Sequence, residues 1–218
     1  PNCDEKCTIK ELSKILDIDE KLRIDPITEN PTEIVLKFTN GKTINGQYKI
    51  SNYPIQSENK EHTLKLLPND TKINKLGIEY LTQSNFVIIA PGHFYGTTLS
   101  TLIVPGLDKI LKNKKIIIIM PFFNRNSLKQ TTGWKTSNYL KEYTKYLKRE
   151  PDYIICNNNY KPKIPKHSWI VDDMPETTAT WISQNLVPTQ KKKNINQKAD
   201  KIIRSPINYN STLMRNIL

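Results

Sequence analysis

With 218 residues the chain is long enough to bury a core of its own, most simply as one domain with appendages. Its formal charge of +12, from 33 Lys and Arg against 21 Asp and Glu, raises nucleic acid as a partner. The basic residues are scattered, however: only Lys191-Lys-Lys193 forms a run, and no recognition helix, zinc finger or aromatic RNA-binding signature is present. No apolar stretch reaches membrane-spanning length, and the polar start Pro1-Asn-Cys-Asp-Glu-Lys-Cys7 has no secretory pattern. The three cysteines are an odd count, and a cytoplasmic setting is the expectation.

In chain order, Thr8 to Leu16 has the spacing of one helix face, with Thr8 as its N-cap. Pro26 keeps Ile24-Asp-Pro-Ile-Thr28 extended. A strand over Glu33–Phe38, the hairpin signal Asn40-Gly41 and a return strand over Lys42–Ile50 follow, and His62–Leu67 reads as another strand. Thr71–Thr82 reads as a helix, and from there strands and helices alternate. Strand Phe86–Ala90 precedes helix Thr97–Lys112, bent at Val104-Pro-Gly106. Strand Lys115–Pro121 precedes helix Thr136–Lys148, and strand Asp152–Asn157 follows. Trp169–Val171 is read as a short strand, Glu176–Gln184 as a helix, Ile202–Arg204 as extended and Asn210–Leu218 as a terminal helix. Near-continuous apolar strands between amphipathic helices predict a mostly parallel, Rossmann-like α/β sheet covered on both faces, with a β-hairpin elaboration near the N-terminus. The expected organisation is one domain over 1–218: a β-rich elaboration at 25–68, a βα core at 69–160 and an appendage at 161–218.

In such sheets ligands sit outside the carboxyl ends of the strands. That gathers the loops Pro91–Thr98, Phe122–Trp134 and Asn157–Pro165. In the first, a strand breaks at Pro91-Gly92 and a helix begins, an order that seats anions on free N–H groups at the positive end of the helix dipole. His93 lies in this loop. In the second, Arg125 supplies a guanidinium fork, and Asn124, Thr131 and Thr132 supply neutral hydrogen bonds. Trp134 is expected to pack inward rather than stack on a ligand. Asp172-Asp173 is an adjacent pair whose side chains, if on a strand, point to opposite faces and so rarely hold one cation together. Cys3 and Cys7 are half of a zinc set without a second half nearby, and no nucleophile–base pair stands out. The residues by themselves point to a phosphate- or nucleotide-seating α/β domain and to no particular reaction.

Ala90-Pro-Gly-His-Phe-Tyr-Gly-Thr-Thr98, followed by Leu102-Ile-Val-Pro-Gly-Leu107, resembles the signature G-P-G-S-L-Y-T-S…L-L-V-P-G-I. That signature belongs to the YvcK-like gluconeogenesis factors, relatives of 2-phospho-L-lactate transferase (CofD). Ile24–Thr28, the segment Thr39–Ile50, Thr131-Thr-Gly-Trp134 and Pro151-Asp-Tyr-Ile-Ile155 resemble further family segments in the same order. The resemblance implies a Rossmann-like fold that binds phosphorylated, nucleotide-like ligands. On the resemblance Pro91, Gly92, His93, Tyr95, Thr97 and Thr98 would line the phosphate site and Arg204 would add a contact; Asn124, Arg125 and Thr132 join the expected binding set from the reading of the second loop.

Within the matched region Ser is replaced by His93 and Thr by Gly96, and the family's opening G-G-G-T-G and D-D-G-G-S-S-G segments are not found. The implied function is a UDP-sugar- or dinucleotide-binding (NAD(P)-like) regulator of carbon metabolism and cell shape. The alternative is a transferase using a nucleotide-activated donor and Mg²⁺, and a basic nucleic-acid-associated protein is a third reading. Catalysis by the isolated chain is not expected, and its assembly is either a homodimer or a pairing with an N-terminal portion.

Overall fold

The computed structural model describes residues 11, 13–18, 24–58, 60–125, 129–158, 167–187 and 209–217, without the side chains of Arg125 and His167. Of the expected helix Thr8–Leu16, residues 8–10 and 12 fall outside these residues, while Glu11 and Ser13–Ile15 are helical; Cys3, Cys7, Ile202–Arg204 and the Lys191–Lys193 run lie outside them.

The N-terminal hairpin forms as predicted: β1 (Glu33–Phe38) pairs antiparallel with β2 (Thr43–Asn45) and with β3 (His62–Leu67), in the order β2-β1-β3. The return strand is shorter than its sequence suggests. Gly46, at φ 89, ends it after three residues and opens helix α1 (Gln47–Asn52), so the stretch Lys42–Ile50 is half strand and half helix. That left-handed conformation suits Gly and few other residues. Helix α2 (Lys75–Gln83) begins where the Asn74 side chain accepts the Leu76 amide, four residues later than Thr71.

The main sheet is four-stranded and wholly parallel, in the order β4 (Phe86–Ile89), β5 (Lys115–Ile119), β7 (Tyr153–Asn157), β9 (Thr180–Gln184). Strand β9 stands where a helix was expected over Glu176–Gln184. Thr178, Thr180, Trp181 and Ile182 are β-branched or aromatic, and pairing with β7 from Tyr153↔Thr180 to Asn157↔Gln184 decides the matter. A small antiparallel pair, β6 (Phe123–Arg125) with β8 (His167–Trp169), lies outside this sheet; β8 replaces the strand expected at Trp169–Val171.

Alternation along β5 and β7 divides the core in two. Ile116, Ile118, Ile154 and Cys156 join the larger cluster, with the hairpin sheet and helices α3 (Leu107–Leu111) and α4 (Thr136–Leu147). Ile119 and Ile155 face the other way, against Leu186, Val187 and the terminal helix α5 (Ser211–Ile217). The sheet is therefore covered on both faces over its middle strands, as its apolar runs require. Helix α4 carries the predicted stripe of Tyr139, Leu140, Tyr143 and Leu147. Its first turn is tied by Asp173, whose carboxylate accepts from the Ser137 amide at 2.9 Å and from the Thr136 and Ser137 hydroxyls at 2.7 and 2.6 Å.

Candidate functional site

At the carboxyl end of β4 the chain turns through Pro91-Gly92-His93 into a π-helical segment, Phe94–Leu99, that runs on into the helical turn Ser100–Leu102. The helix thus starts three residues before Thr97. It closes on the His93 carbonyl, which accepts the amides of Thr97 at 2.7 Å and Thr98 at 3.2 Å and the Thr97 hydroxyl at 2.9 Å. A π-turn widens a helix by one residue and recurs at ligand sites. Here it brings two threonine hydroxyls over Gly92. A Cβ built on Gly92 would lie 2.7 Å from Thr97 Oγ1 and 3.0 Å from Thr98 Oγ1, so only Gly fits the turn without displacing them.

The turn is anchored from below by aromatic rings. Phe94 meets Tyr95, Trp134, Tyr139 and Tyr143 edge-on, with centroids 4.9 to 5.3 Å apart. Trp134 packs inward here, as expected. Tyr95 is fully buried: its hydroxyl lies 2.8 Å from His62 Nε2 and donates to Glu142 Oε2 at 3.4 Å. Burial and the nearby Glu142 charge hold the Tyr95 phenol well above its ordinary range. Burial also pushes the Glu142 carboxyl up, but His62, Lys145 and Tyr95 outweigh it and hold the acid below its usual value. The Tyr95 amide donates to Gln130 Oε1 at 3.0 Å, so one N–H of the expected anion seat is already used by the second crevice loop. That bond joins the two loops.

Beside the turn runs a cavity of about 290 Å³. Gly92, Thr97, Thr98 and Thr101 line one part of it, and Val87 to Ala90 with Ile27, Leu81 and Leu102 form an apolar wall. Of the residues singled out in sequence, Gly92, Thr97 and Thr98 meet at this cavity. Pro91 is half-buried beside them. His93 is held by helix α1: Ser51 Oγ donates to the Gln47 carbonyl at 2.6 Å, so in its 3.2 Å contact with His93 Nδ1 the ring nitrogen is the donor. Gly96 makes room for this ring, since a Cβ there would lie 2.7 Å from His93 Nδ1.

Other expected site residues lie elsewhere. Tyr95 faces the core because the π-turn rotates it inward. Asn124 is buried, its amide donating to the Trp134 carbonyl and its oxygen accepting from the Tyr139 hydroxyl, so it braces the second loop from inside. Thr132 is exposed and bonded to the Lys129 carbonyl. The Arg125 side chain and all of Arg204 lie outside the described residues. Asp172 and Asp173 are engaged within the fold, Asp172 accepting from Ser183 Oγ at 2.8 Å and Trp181 Nε1 at 3.3 Å. Among the described residues no group of three or more His, Cys, Asp and Glu side chains is placed to hold a metal ion, and no helix is long and apolar enough to cross a membrane. The residues that sequence reasoning missed are Thr101 and the apolar wall, whose members come from four separate segments, with Ile27 and Leu81 far in sequence from the Ala90–Leu107 motif.

A parallel sheet with a hydroxyl-lined, glycine-dependent turn at the carboxyl end of a strand defines a Rossmann-like α/β protein. Comparison with known proteins agrees. The profile of the 2-phospho-L-lactate transferase CofD family matches residues 4–206, and the chain belongs to that family. It is 25% identical over 151 residues to a putative gluconeogenesis factor of Thermotoga maritima, covering 68% of this chain and 45% of that protein. It is 28% identical over 129 residues to one of Aquifex aeolicus, covering 58% and 38%. The chain thus spans about half or less of the length of these relatives. A crystal structure of a Bacillus halodurans protein superposes with a TM-score of 0.68 at 21% identity, over 83% of this chain and 60% of that one.

Proposed function

We propose that the chain binds a phosphorylated, nucleotide-like small molecule in the crevice at the end of β4, and that it acts as a regulator of the gluconeogenesis-factor type with a UDP-sugar as ligand. The observation that carries this reading is the meeting of Gly92, Thr97, Thr98 and Thr101 at one part of a largely apolar cavity. Hydroxyls and a close backbone approach suit phosphate oxygens, while the apolar wall suits the remainder of the ligand.

Because Gln130 occupies the Tyr95 amide, the turn offers fewer donors than an open helix start, and weak binding follows. Calorimetric titration with UDP-N-acetylglucosamine, UDP and N-acetylglucosamine tests the reading. The expected result is a dissociation constant on the order of 1 mM for the two diphosphates, equivalent to about 4 kcal/mol, and no heat from the sugar alone. Equal binding of the sugar would show that phosphate is not what the site reads, and micromolar affinity would contradict the weakness argued here. The transferase reading draws on the family match alone, and no described feature of the structure favours it or the nucleic-acid reading.

A further inference from the structure

We propose that ligand binding at the Gly92 turn is coupled to protonation of His93, which makes the site tighter for a phosphorylated ligand in mild acid. The proposal rests on the ligand reading above. Among the described residues no charged side chain lines the cavity; its polar part is Gly92 with Thr97, Thr98 and Thr101. A diphosphate seated there meets hydroxyls and aliphatic groups but no counter-charge from the wall itself. His93 is the titratable side chain that immediately follows Gly92, and it is half-buried at the start of the π-helical segment.

Two departures from the signature that this chain resembles meet at the His93 ring. The signature has Ser where this chain has His93, and Thr where it has Gly96. A Cβ built on Gly96 would lie 2.7 Å from His93 Nδ1 and 2.8 Å from Gln47 Cγ, so a Thr there would crowd out the imidazole. The two departures act as a unit: one side chain is absent so that a ring can be seated. The ring is also oriented. Ser51 Oγ gives its hydrogen to the Gln47 carbonyl at 2.6 Å, so His93 Nδ1 is the donor in the 3.2 Å contact with Ser51. The neutral ring therefore carries its proton on Nδ1 and takes up a second on Nε2 with that bond intact. Of the elements packed against the π-helical segment, α1 carries Tyr48 and Lys49, both exposed, and the Lys129–Thr131 turn carries the exposed Lys129. Neither element carries a carboxylate; Glu142 and His62 lie behind the turn, on the Tyr95 hydroxyl. Consecutive Cα atoms are about 3.8 Å apart, which puts a His93 charge within roughly a Debye length of an anion at Gly92 and Thr97. At that range one charge changes affinity by roughly five-fold.

The test uses the full chain between pH 5.5 and pH 8, a range in which the diphosphate of a UDP-sugar keeps its charge. Calorimetric titration with UDP-N-acetylglucosamine should give binding about five-fold tighter at pH 5.5 than at pH 8. Near the middle of the range the heat should vary with the ionisation enthalpy of the buffer, the mark of proton uptake. His93→Gln should bind with one affinity throughout. Equal affinity at both ends of the range in the parent, or an unchanged pH dependence in His93→Gln, would overturn the proposal. The second arm reads the imidazole nitrogens of the parent chain by NMR and does not depend on a UDP-sugar or on the folding of a variant. Without ligand, neutral His93 should hold its proton on Nδ1. Sulfate, a dianion throughout this range, should raise the pH at which His93 titrates, relative to chloride at equal ionic strength. A neutral ring protonated on Nε2, or a titration that sulfate leaves in place, would overturn the proposal. If sulfate moves the His93 titration while UDP-N-acetylglucosamine gives no heat at any pH, the UDP-sugar reading fails and the coupling to an anion stands.

Discussion

Replacing Gly92 by Ala places a methyl group where the turn is tightest. The new Cβ would sit 2.7 Å from Thr97 Oγ1 and 3.0 Å from Thr98 Oγ1, inside the distance real Cβ atoms keep. Thr97 Oγ1 is tied to the His93 carbonyl at 2.9 Å, so moving it forfeits a hydrogen bond worth about 0.5–1.5 kcal/mol. Thr98 is buried and must also shift, an overpacking cost of about 1–3 kcal/mol. Against this, Ala narrows the unfolded ensemble and returns about 0.4–1 kcal/mol. The net expectation is a loss of about 1–3 kcal/mol, read as a lower urea midpoint at unchanged slope.

The clash is specific, so it is relieved by its partner. In the double variant Gly92→Ala, Thr97→Ala the two effects should be non-additive by about 0.5 kcal/mol or more in the stabilising direction. UDP-N-acetylglucosamine heats should vanish in Gly92→Ala. A variant as stable as the parent, with additive double-mutant energetics and unchanged ligand heats, would refute the packing argument and its link to the site.

Tyr95→Phe removes the hydroxyl between His62 and Glu142 and should cost about 1–2 kcal/mol in urea unfolding, because buried Glu142 and half-buried His62 each lose a partner. Acid should act through Glu142 and Asp173. Burial raises both carboxyls, but hydrogen bonds, and for Glu142 also the charges of Lys145 and His62, lower them further, to below the ordinary 4.5 and 3.8. Folded values lower than unfolded ones give stability that is complete above the ordinary values and lost as pH falls below about 4.5 through the folded values. The urea midpoint should therefore hold between neutral pH and pH 5 and drop below that, and Glu142→Gln should flatten the drop while lowering the neutral-pH midpoint. Asp173→Ala removes three acceptor bonds from the first turn of α4 and should cost about 1–2 kcal/mol, measured the same way.

Much of the fold was legible because its signals are local. The apolar runs Phe86–Ile89, Lys115–Ile119 and Tyr153–Asn157 mark strands of the main sheet, the latter two largely buried and the first exposed at Phe86 and Ile88, and Asn40-Gly41 marks its own hairpin. The misread segments are those that a neighbour decides. Thr180–Gln184 becomes a strand because β7 has an edge to offer, and Gly46 turns a strand into a helix through a dihedral that no periodicity reveals.

The site was legible to the level of the turn but not of the side chain. Pro91-Gly92 correctly marks the break after β4, yet within the π-turn Tyr95 swings inward while Thr97 and Thr98 reach the cavity. A helix of ordinary pitch was the only template the sequence offered. The polarity of Asn124 suggests a ligand contact, but its burial under Trp134 and Tyr139 depends on contacts ten and fifteen residues away.

The most direct test of the account is where a phosphorylated ligand touches the chain. In a titration of the isotope-labelled protein with UDP-N-acetylglucosamine followed by NMR, the amide resonances of Gly92, Thr97, Thr98 and Thr101 should move first and farthest. Those of β9 and α5 should stay still. Shifts concentrated away from the end of β4, or none at millimolar ligand, would contradict the assignment of the Gly92 turn as the phosphate end of the site.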